Sequence, residues 1–233
     1  MRQVNPKLII AVKSCLQHKD RGDHNLIRST WGQDAKAAGI LVKFFVGQQD
    51  PNSARVVNFE SDEVRVDCQD DYNSLPKKTR EICKWVQGKM IDYLFLCDTD
   101  TFVNVKKLLA SPFTSYDYFG HFNGKTSGTF RYEAVNREGE KEMHQRAYPW
   151  ASGGYGYFLS KTALNAVAYD YPSSWAEDLW VGQVMGPLAA EGKIMIGDVG
   201  TDFTDHFPAI RYGQGYDEKV GYDWMKKKYA ESK

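Results

Sequence analysis

Asp98-Thr99-Asp100 ends the apolar run at residues 92–97 and is the pattern with the clearest chemical use in this sequence. Two carboxylates one residue apart at a strand end can hold a hard divalent cation through oxygen, and that cation can bridge a diphosphate. Ligands of an open α/β sheet gather at the carboxyl ends of its strands, where this pair would lie. The plainer use is to cap the helix expected near 103–109. Gly153-Gly154 is a second candidate feature, because residues without side chains let backbone approach a ligand closely. Read alone, Glu177 and Asp178 are helix-start carboxylates suited to capping, and His206 is a loop histidine.

The DxD pattern serves another chemistry as well. In haloacid-dehalogenase-like phosphotransferases, a strand ending in DxDx[TV] supplies an aspartate nucleophile. Here Thr101 is followed by Phe102, and the pattern lies deep in the chain rather than near its start. The phosphotransferase reading, with Asp98 as nucleophile and Mg2+ as cofactor, is therefore the weaker of the two.

The elements that must position these residues alternate between strand and helix. Residues 7–12, 40–46 and 63–66 read as strands, with a polar loop and a short helix near 23–31 after the first. Ser74 can cap a helix with Pro76 in its first turn, along which Leu75, Thr79, Ile82, Cys83, Val86 and Met90 fall at helical spacing. Residues 92–97 form the next strand. This alternation argues for an α/β layer with a mainly parallel sheet.

The second half is less regular. Residues 116–122, 129–135 and 155–159 read as strands, and 123–128 and 136–145 as polar loops. Ser160 caps a helix carrying Ala163, Leu164 and Val167. Another helix starts near Glu177 with Val181, Val184, Met185 and Leu188 on one face, and Pro187 should kink or end it. The last 25 residues show little periodicity, and Lys226-Lys227-Lys228 reads as a solvated helix end.

Composition bounds the function. A chain of 233 residues, 42% hydrophobic, can bury a sizeable core in a single domain spanning 1–233. Lys plus Arg equals Asp plus Glu at 30 each, and no basic stripe appears, which argues against a nucleic-acid partner. Cys15, Cys68, Cys83 and Cys97 form no CxxC pair and read as reduced thiols, Cys83 and Cys97 in the core. No membrane segment, signal peptide or Asn-x-Ser/Thr acceptor is present, so the expected location is cytoplasmic as written. The alternative is a Golgi-lumen catalytic domain separated from its anchor. An aromatic content of 14% suits stacking on sugar rings, with Trp150, Trp175 and Trp180 as candidates and Trp31 and Trp85 as core.

Five segments, in order, resemble the β-1,3-galactosyltransferase family of inverting glycosyltransferases, which includes N-acetylglucosaminyltransferases and Fringe-type enzymes. Residues 27–32, IRSTWG, resemble its IRxTWG element, and 70–79, DDYNSLPKKT, its DxYxNLxxKT element. Residues 98–104, DTDTFVN, resemble DDDxFVN; 148–160, YPWASGGYGYFLS, resemble YPxYxSGGGYVLS; and 177–182, EDLWVG, resemble EDVxxG. The departures are His24 where the family often has Arg, Ser74 for Asn, Thr99 for the middle Asp, and Tyr155-Gly156 in the triple-Gly turn.

The resemblance implies a GT-A fold, with a Rossmann-like nucleotide-binding half at about 7–104 and an acceptor half at about 105–210. It implies a UDP-sugar donor, a carbohydrate or glycoconjugate acceptor, and Mn2+ or Mg2+. By position, Asp100 and His206 would be metal ligands, with Asp98 on the ribose or the metal's water shell and Thr99 beside it. Asp178 matches the catalytic base, while Glu177 joins Trp150, Gly153 and Gly154 on the sugar side. Arg28 and Lys78 are candidate cations for the diphosphate, although an Arg bridging two loops and a solvated Lys remain open. Asp70 or Tyr72 would meet uracil or ribose, and Val12, Lys13 and Ser14, at the end of the first strand, the nucleotide. The rival to an enzyme is a sugar-binding module that has kept the fold without turnover.

Overall fold

The computed structural model describes residues 7–48, 58–123, 130–135, 141–146, 148–198, 200, 202–207 and 218–233. The first half runs β1 (Leu8–Lys13), α1 (Leu16–Arg21), α2 (Asp23–Ser29), α3 (Trp31–Ala37), β2 (Leu41–Gln48), β3 (Glu63–Gln69), α4 (Leu75–Gln87) and β4 (Tyr93–Asp98). It continues with β5 (Thr101–Val103), α5 (Val105–Ala110), β6 (Tyr118–Gly120), β7 (Phe122–Asn123), β8 (Phe130–Val135) and β9 (Lys141–Arg146). Then come β10 (Trp150–Ala151), β11 (Tyr157–Ser160), α6 (Lys161–Tyr169), α7 (Glu177–Ala190), β12 (Ile196–Asp198), β13 (Thr204–His206) and α8 (Glu218–Glu231).

A seven-stranded sheet in the order β12-β6-β11-β4-β1-β2-β3 forms the centre, and β11 is the strand that opposes the rest. The expected α/β class with a mainly parallel sheet is therefore observed. Strands from beyond residue 104 complete the same sheet, so both halves share one layer. β1 is covered on both faces: Ile9 and Ala11 pack on one side, Leu8, Ile10 and Val12 on the other. Continuous apolarity in such a strand follows from double burial. Ile82, Cys83 and Val86 of α4, Leu164 and Val167 of α6, and Trp180, Val181 and Met185 of α7 cover the first face. Trp31, Val105, Leu108 and Met225 cover the second.

Several local expectations change. Ser74 precedes α4 without a side-chain cap; Asp71 instead accepts from the Ser74 amide at 2.8 Å, closing a tight turn. Met90 lies past the end of α4 and is 82% exposed, so the apolar face stops at Val86. Pro187 lies inside α7, which continues to Ala190. One missing amide near a helix end removes little, and the buried face before it anchors the helix. Ser160 does cap α6, accepting from the Ala163 amide at 3.3 Å. β9 replaces part of the loop expected at 136–145; residues 136–140 and 124–128 lie outside the described residues. α8 occupies the tail where little periodicity was legible, pinned by Tyr222 to Asp23 (3.0 Å) and Lys228 to Asp205 (2.8 Å).

All four cysteines are free thiols, with Cys68, Cys83 and Cys97 buried. Among the described residues, no helix is long and apolar enough to cross a membrane.

Candidate active site

Parallel pairing of β1 with β4 sets Lys13 opposite Asp98 at the carboxyl ends of the two central strands. The Lys13 ammonium is buried, 3.3 Å from Asp98 Oδ1 and 2.9 Å from Glu177 Oε2. Glu177 opens α7 and is itself buried; its Oε1 accepts from Thr79 at 3.2 Å and from the Tyr157 hydroxyl. Asp178, the next residue, accepts from the Gly153 amide at 3.3 Å and the Leu179 amide at 2.8 Å. Gly153 makes this convergence possible: a Cβ there would lie 2.9 Å from Glu177 Oε2 and 3.2 Å from Lys13 Nζ.

On the other side of the DxD turn, β5 pairs antiparallel with β13, setting His206 opposite Thr101. His206 Nε2 thereby reaches Asp100 Oδ2 at 3.2 Å. Asn104, not either aspartate, caps α5, accepting from the Lys107 amide at 3.1 Å. The helix-cap use of the DxD pair is thus set aside. Among the described residues, no three His, Cys, Asp or Glu converge as a ready-made metal cage. Asp100 and His206 form a two-donor pair, and Asp98 faces Lys13. One carboxylate and one imidazole suit a cation that fills its remaining positions with water or substrate oxygen.

Burial moves these groups' titration. Asp178 is raised to about 6, mainly because burial disfavours the anion and Glu177 adds like charge, against the Gly153 amide and Lys13. Burial likewise raises Asp98, opposed by Lys13. For His206, burial works against the cation, but the hydrogen bond and charge of Asp100 outweigh it and raise the imidazole. The Tyr72 phenol is raised by the crowding of its hydroxyl and by the charges of Asp98 and Asp178, which brings Tyr72 to this cluster although its side chain is 69% exposed.

Other expected site residues are committed to the protein itself. Asp70 accepts from the Leu16 amide (2.5 Å), the Gly47 amide (2.6 Å) and Lys78 (2.9 Å). Lys78 is buried and also donates to the Ser14 carbonyl, so it joins loop to helix rather than standing solvated. Arg28 does not bridge two loops but ties α2 to the start of β3: it donates to Asp62 at 2.9 and 2.6 Å and to Glu63 at 3.1 Å, and to Asn25 of its own helix at 2.8 Å. Val12 is fully buried in the core, which leaves only its main chain at the strand end. Ser14 Oγ is 2.7 Å from His24 Nε2, whose Nδ1 is 2.7 Å from Glu63. That Ser–His–Glu alignment resembles a nucleophile relay, but Ser14 is 3% exposed, so it serves to fasten β1 to β3. Thr99 is buried and pairs with His18 Nδ1 at 2.9 Å.

Trp150 is 6% exposed and Trp180 fully buried, so neither offers a ring face for stacking, whereas Trp175 is 44% exposed. The close packing of α7 on Trp150 explains the first: a Cβ on Gly182 would fall 2.6 Å from Trp150 Cβ. Lys13, expected with Val12 and Ser14 at the nucleotide, is instead enclosed by Asp98 and Glu177. Sequence reasoning did not single out Thr79, Tyr157 and His18 as site residues; the available signal was polarity out of place, such as a Thr on the buried face of α4.

Gly154 tests the Asp100–His206 pair. A Cβ there would sit 2.7 Å from His206 Nε2, and the backbone is not left-handed, so Gly154→Ala strains the imidazole rather than the chain. The expected result is that His206 leaves Asp100 and its titration falls towards that of an ordinary histidine in an NMR pH series. An unchanged midpoint would show that the ring moves without breaking the pair.

Residues 23–195, more than half of the chain, match the model of the family described as Galactosyltransferase. The hydroxyproline O-galactosyltransferase GALT2 of Arabidopsis thaliana is 27% identical over 175 residues, which covers 66% of this chain and 24% of that protein. The chain thus spans about a quarter of that relative's length. Solved structures similar to the chain include two with the following values. A glycosyltransferase involved in glycosylation of the major capsid of PBCV-1 has a TM-score of 0.46 at 12% identity, over 94% of this chain and 99% of that one. HddC from Yersinia pseudotuberculosis has a TM-score of 0.43 at 11% identity, over 97% and 98%. The family match displaces the phosphotransferase reading of Asp98. With its DxD turn at the centre of the sheet and its Glu-Asp pair at the start of α7, this chain belongs to the galactosyltransferase family.

Proposed function

We propose that the chain is a metal-dependent, inverting glycosyltransferase that moves a hexose, galactose first, from a UDP-sugar to a hydroxyl of a carbohydrate or glycoconjugate, with a β-1,3 linkage. The observation that carries the reading is Asp178: a carboxyl raised to about 6, half-buried, with free acceptor capacity beside a glycine turn. A general base works best when its proton affinity lies near the working pH. As the acceptor oxygen forms its bond to the anomeric carbon, its proton passes to Asp178. The bond from that carbon to the diphosphate oxygen breaks, its electron pair leaves with UDP, and the configuration inverts. A single displacement needs no enzyme nucleophile, which agrees with Glu177 being fully engaged by Lys13, Thr79 and Tyr157.

Asp100 and His206 would hold the Mn2+ or Mg2+ ion, which when bound would offset the negative charge that builds on the departing diphosphate. Tyr72 is exposed and near Asp98 and Asp178, which suits a stacking contact with uracil or sugar. The glycine turn at 153–154 would let the donor sugar approach the carboxylates.

The experiment is UDP release from UDP-galactose, UDP-glucose and their N-acetyl forms with Mn2+, using a β-galactoside and a hydroxyproline peptide as acceptors. Acceptor-stimulated UDP release is expected, and kcat/KM should fall tenfold per pH unit below about 6 as Asp178 takes up its proton. No stimulation by any donor and acceptor pair would refute the transfer, and a non-catalytic sugar module would then be the better reading.

A further inference from the structure

Lys13 closes the central strand with its ammonium enclosed by acids from two other elements: Asp98 at the end of β4 and Glu177 at the start of α7. Burial works against this cation, but the surrounding acids, Asp98, Glu177 and Asp178 in that order, raise it, so it stays charged. A buried ammonium bonded to two carboxylates cannot swing away without stranding those charges. Glu177 is bound on both oxygens, so its geometry is fixed as well. Among the described residues, no cation is bonded to Asp178, which accepts from the Gly153 and Leu179 amides. Its neighbours are Glu177 on its own helix, Lys13 from β1, Tyr72 before α4, Tyr118 from β6, and the Gly153 and Leu179 amides.

We propose that Lys13 is a positioning residue for the transfer: it clamps Asp98 to the first turn of α7 and supplies the fixed positive charge that keeps Asp178 a free carboxylate. The inference rests on reading Asp178 as the base, but it can be tested on the carboxyl itself. Of the charged groups around Asp178, Glu177 raises its proton affinity and Lys13 lowers it. Removing Lys13 takes away the only cation opposing burial and Glu177 in that set. The clamp also explains why residue 153 is glycine, since any side chain would enter the space between Lys13, Glu177 and Asp178.

The test is a carbon-13 NMR titration of the Asp178 carboxyl, without nucleotide or metal, in the wild type, Lys13→Met, Lys13→Arg, Glu177→Gln and Lys13→Met/Glu177→Gln. Lys13→Met should raise the midpoint by about one pH unit, and Lys13→Arg should restore it. Lys13→Met alone leaves Glu177 buried and unpaired and can fail to fold, so the decisive pair is Glu177→Gln against the double variant. The double variant should titrate about one unit higher than Glu177→Gln. The acid limb of kcat should move by the same amount. Equal midpoints in that pair would overturn the proposal. A midpoint that moves in a chain releasing no UDP would refute the transfer and leave the clamp standing; a fixed midpoint in an active chain would do the reverse.

Discussion

Asp178→Asn is expected to lower turnover by a factor of about 100 or more while leaving the affinity for UDP and Mn2+ unchanged, the scale of a lost general base. Asn keeps an oxygen that can accept from the Leu179 amide, so the start of α7 should hold its shape. The same change makes a stability prediction of opposite sense. The Asp178 carboxyl titrates at about 6 in the folded chain against an ordinary 3.8, so the folded state holds the proton more tightly. Its favourable contribution is complete below pH 3.8 and is lost as the pH climbs through about 6. At pH 8 the wild type carries a half-buried anion beside Glu177, and the Asn variant does not. The variant should therefore melt no lower than the wild type at pH 8, and any advantage should vanish below pH 4. Near-normal turnover would refute the assignment of the base, and a collapse in melting temperature would make the lost rate a folding effect.

Asp100→Ala should weaken Mn2+-dependent UDP binding by at least about 100-fold, beyond what outer-shell changes at metal sites usually cost. Of the two donors that meet at the DxD turn, it removes the carboxylate and leaves the His206 imidazole without its partner. The main chain should persist, because the Phe207 amide bonds to the Asp100 carbonyl at 3.1 Å, independent of the side chain. Calorimetry with UDP, with and without Mn2+, is the measurement. Binding that is equally strong with and without the metal in the wild type would remove the cation from the proposal. Metal-dependent binding that survives in Asp100→Ala would move the ion to other ligands. His206→Ala should produce the same loss, since the two side chains are within one contact of each other.

Much of the framework was legible in the sequence. Strands β1 and β4 are doubly covered and so read as unbroken apolar runs, and β2 is buried from Phe44 to Val46, past Lys43. α4 and α6 have one buried face and so show the helical period, and Ser160 caps α6 as its type suggested. Failures came where burial was decided by distant partners. α8 was legible only as a helix end at Lys226-Lys227-Lys228, because its contacts, Tyr222 to Asp23 and Lys228 to Asp205, lie far away in sequence. Pro187 does not end α7, because a proline rule is local, while the buried face of α7 is held by the sheet.

The candidate site divides in the same way. The types and spacing of Asp98, Asp100, Gly153 and Gly154 marked a candidate site at the strand ends, and the family resemblance added Glu177 and Asp178 to it. Which acid is free and which is engaged was invisible. Glu177 and Asp178 are adjacent in sequence, yet a helix turns successive side chains about 100° apart, sending one into Lys13, Thr79 and Tyr157 and the other to the glycine turn. In the same way Asp70, Lys78 and Arg28 resembled ligand contacts but are tied to amides and acids of their own chain. The sequence by itself determined the inventory of charges and the elements that carry them. Only the tertiary structure decided which charges neutralise one another, because the pairing depends on strand register and helix orientation across large separations in sequence, to which local spacing is blind.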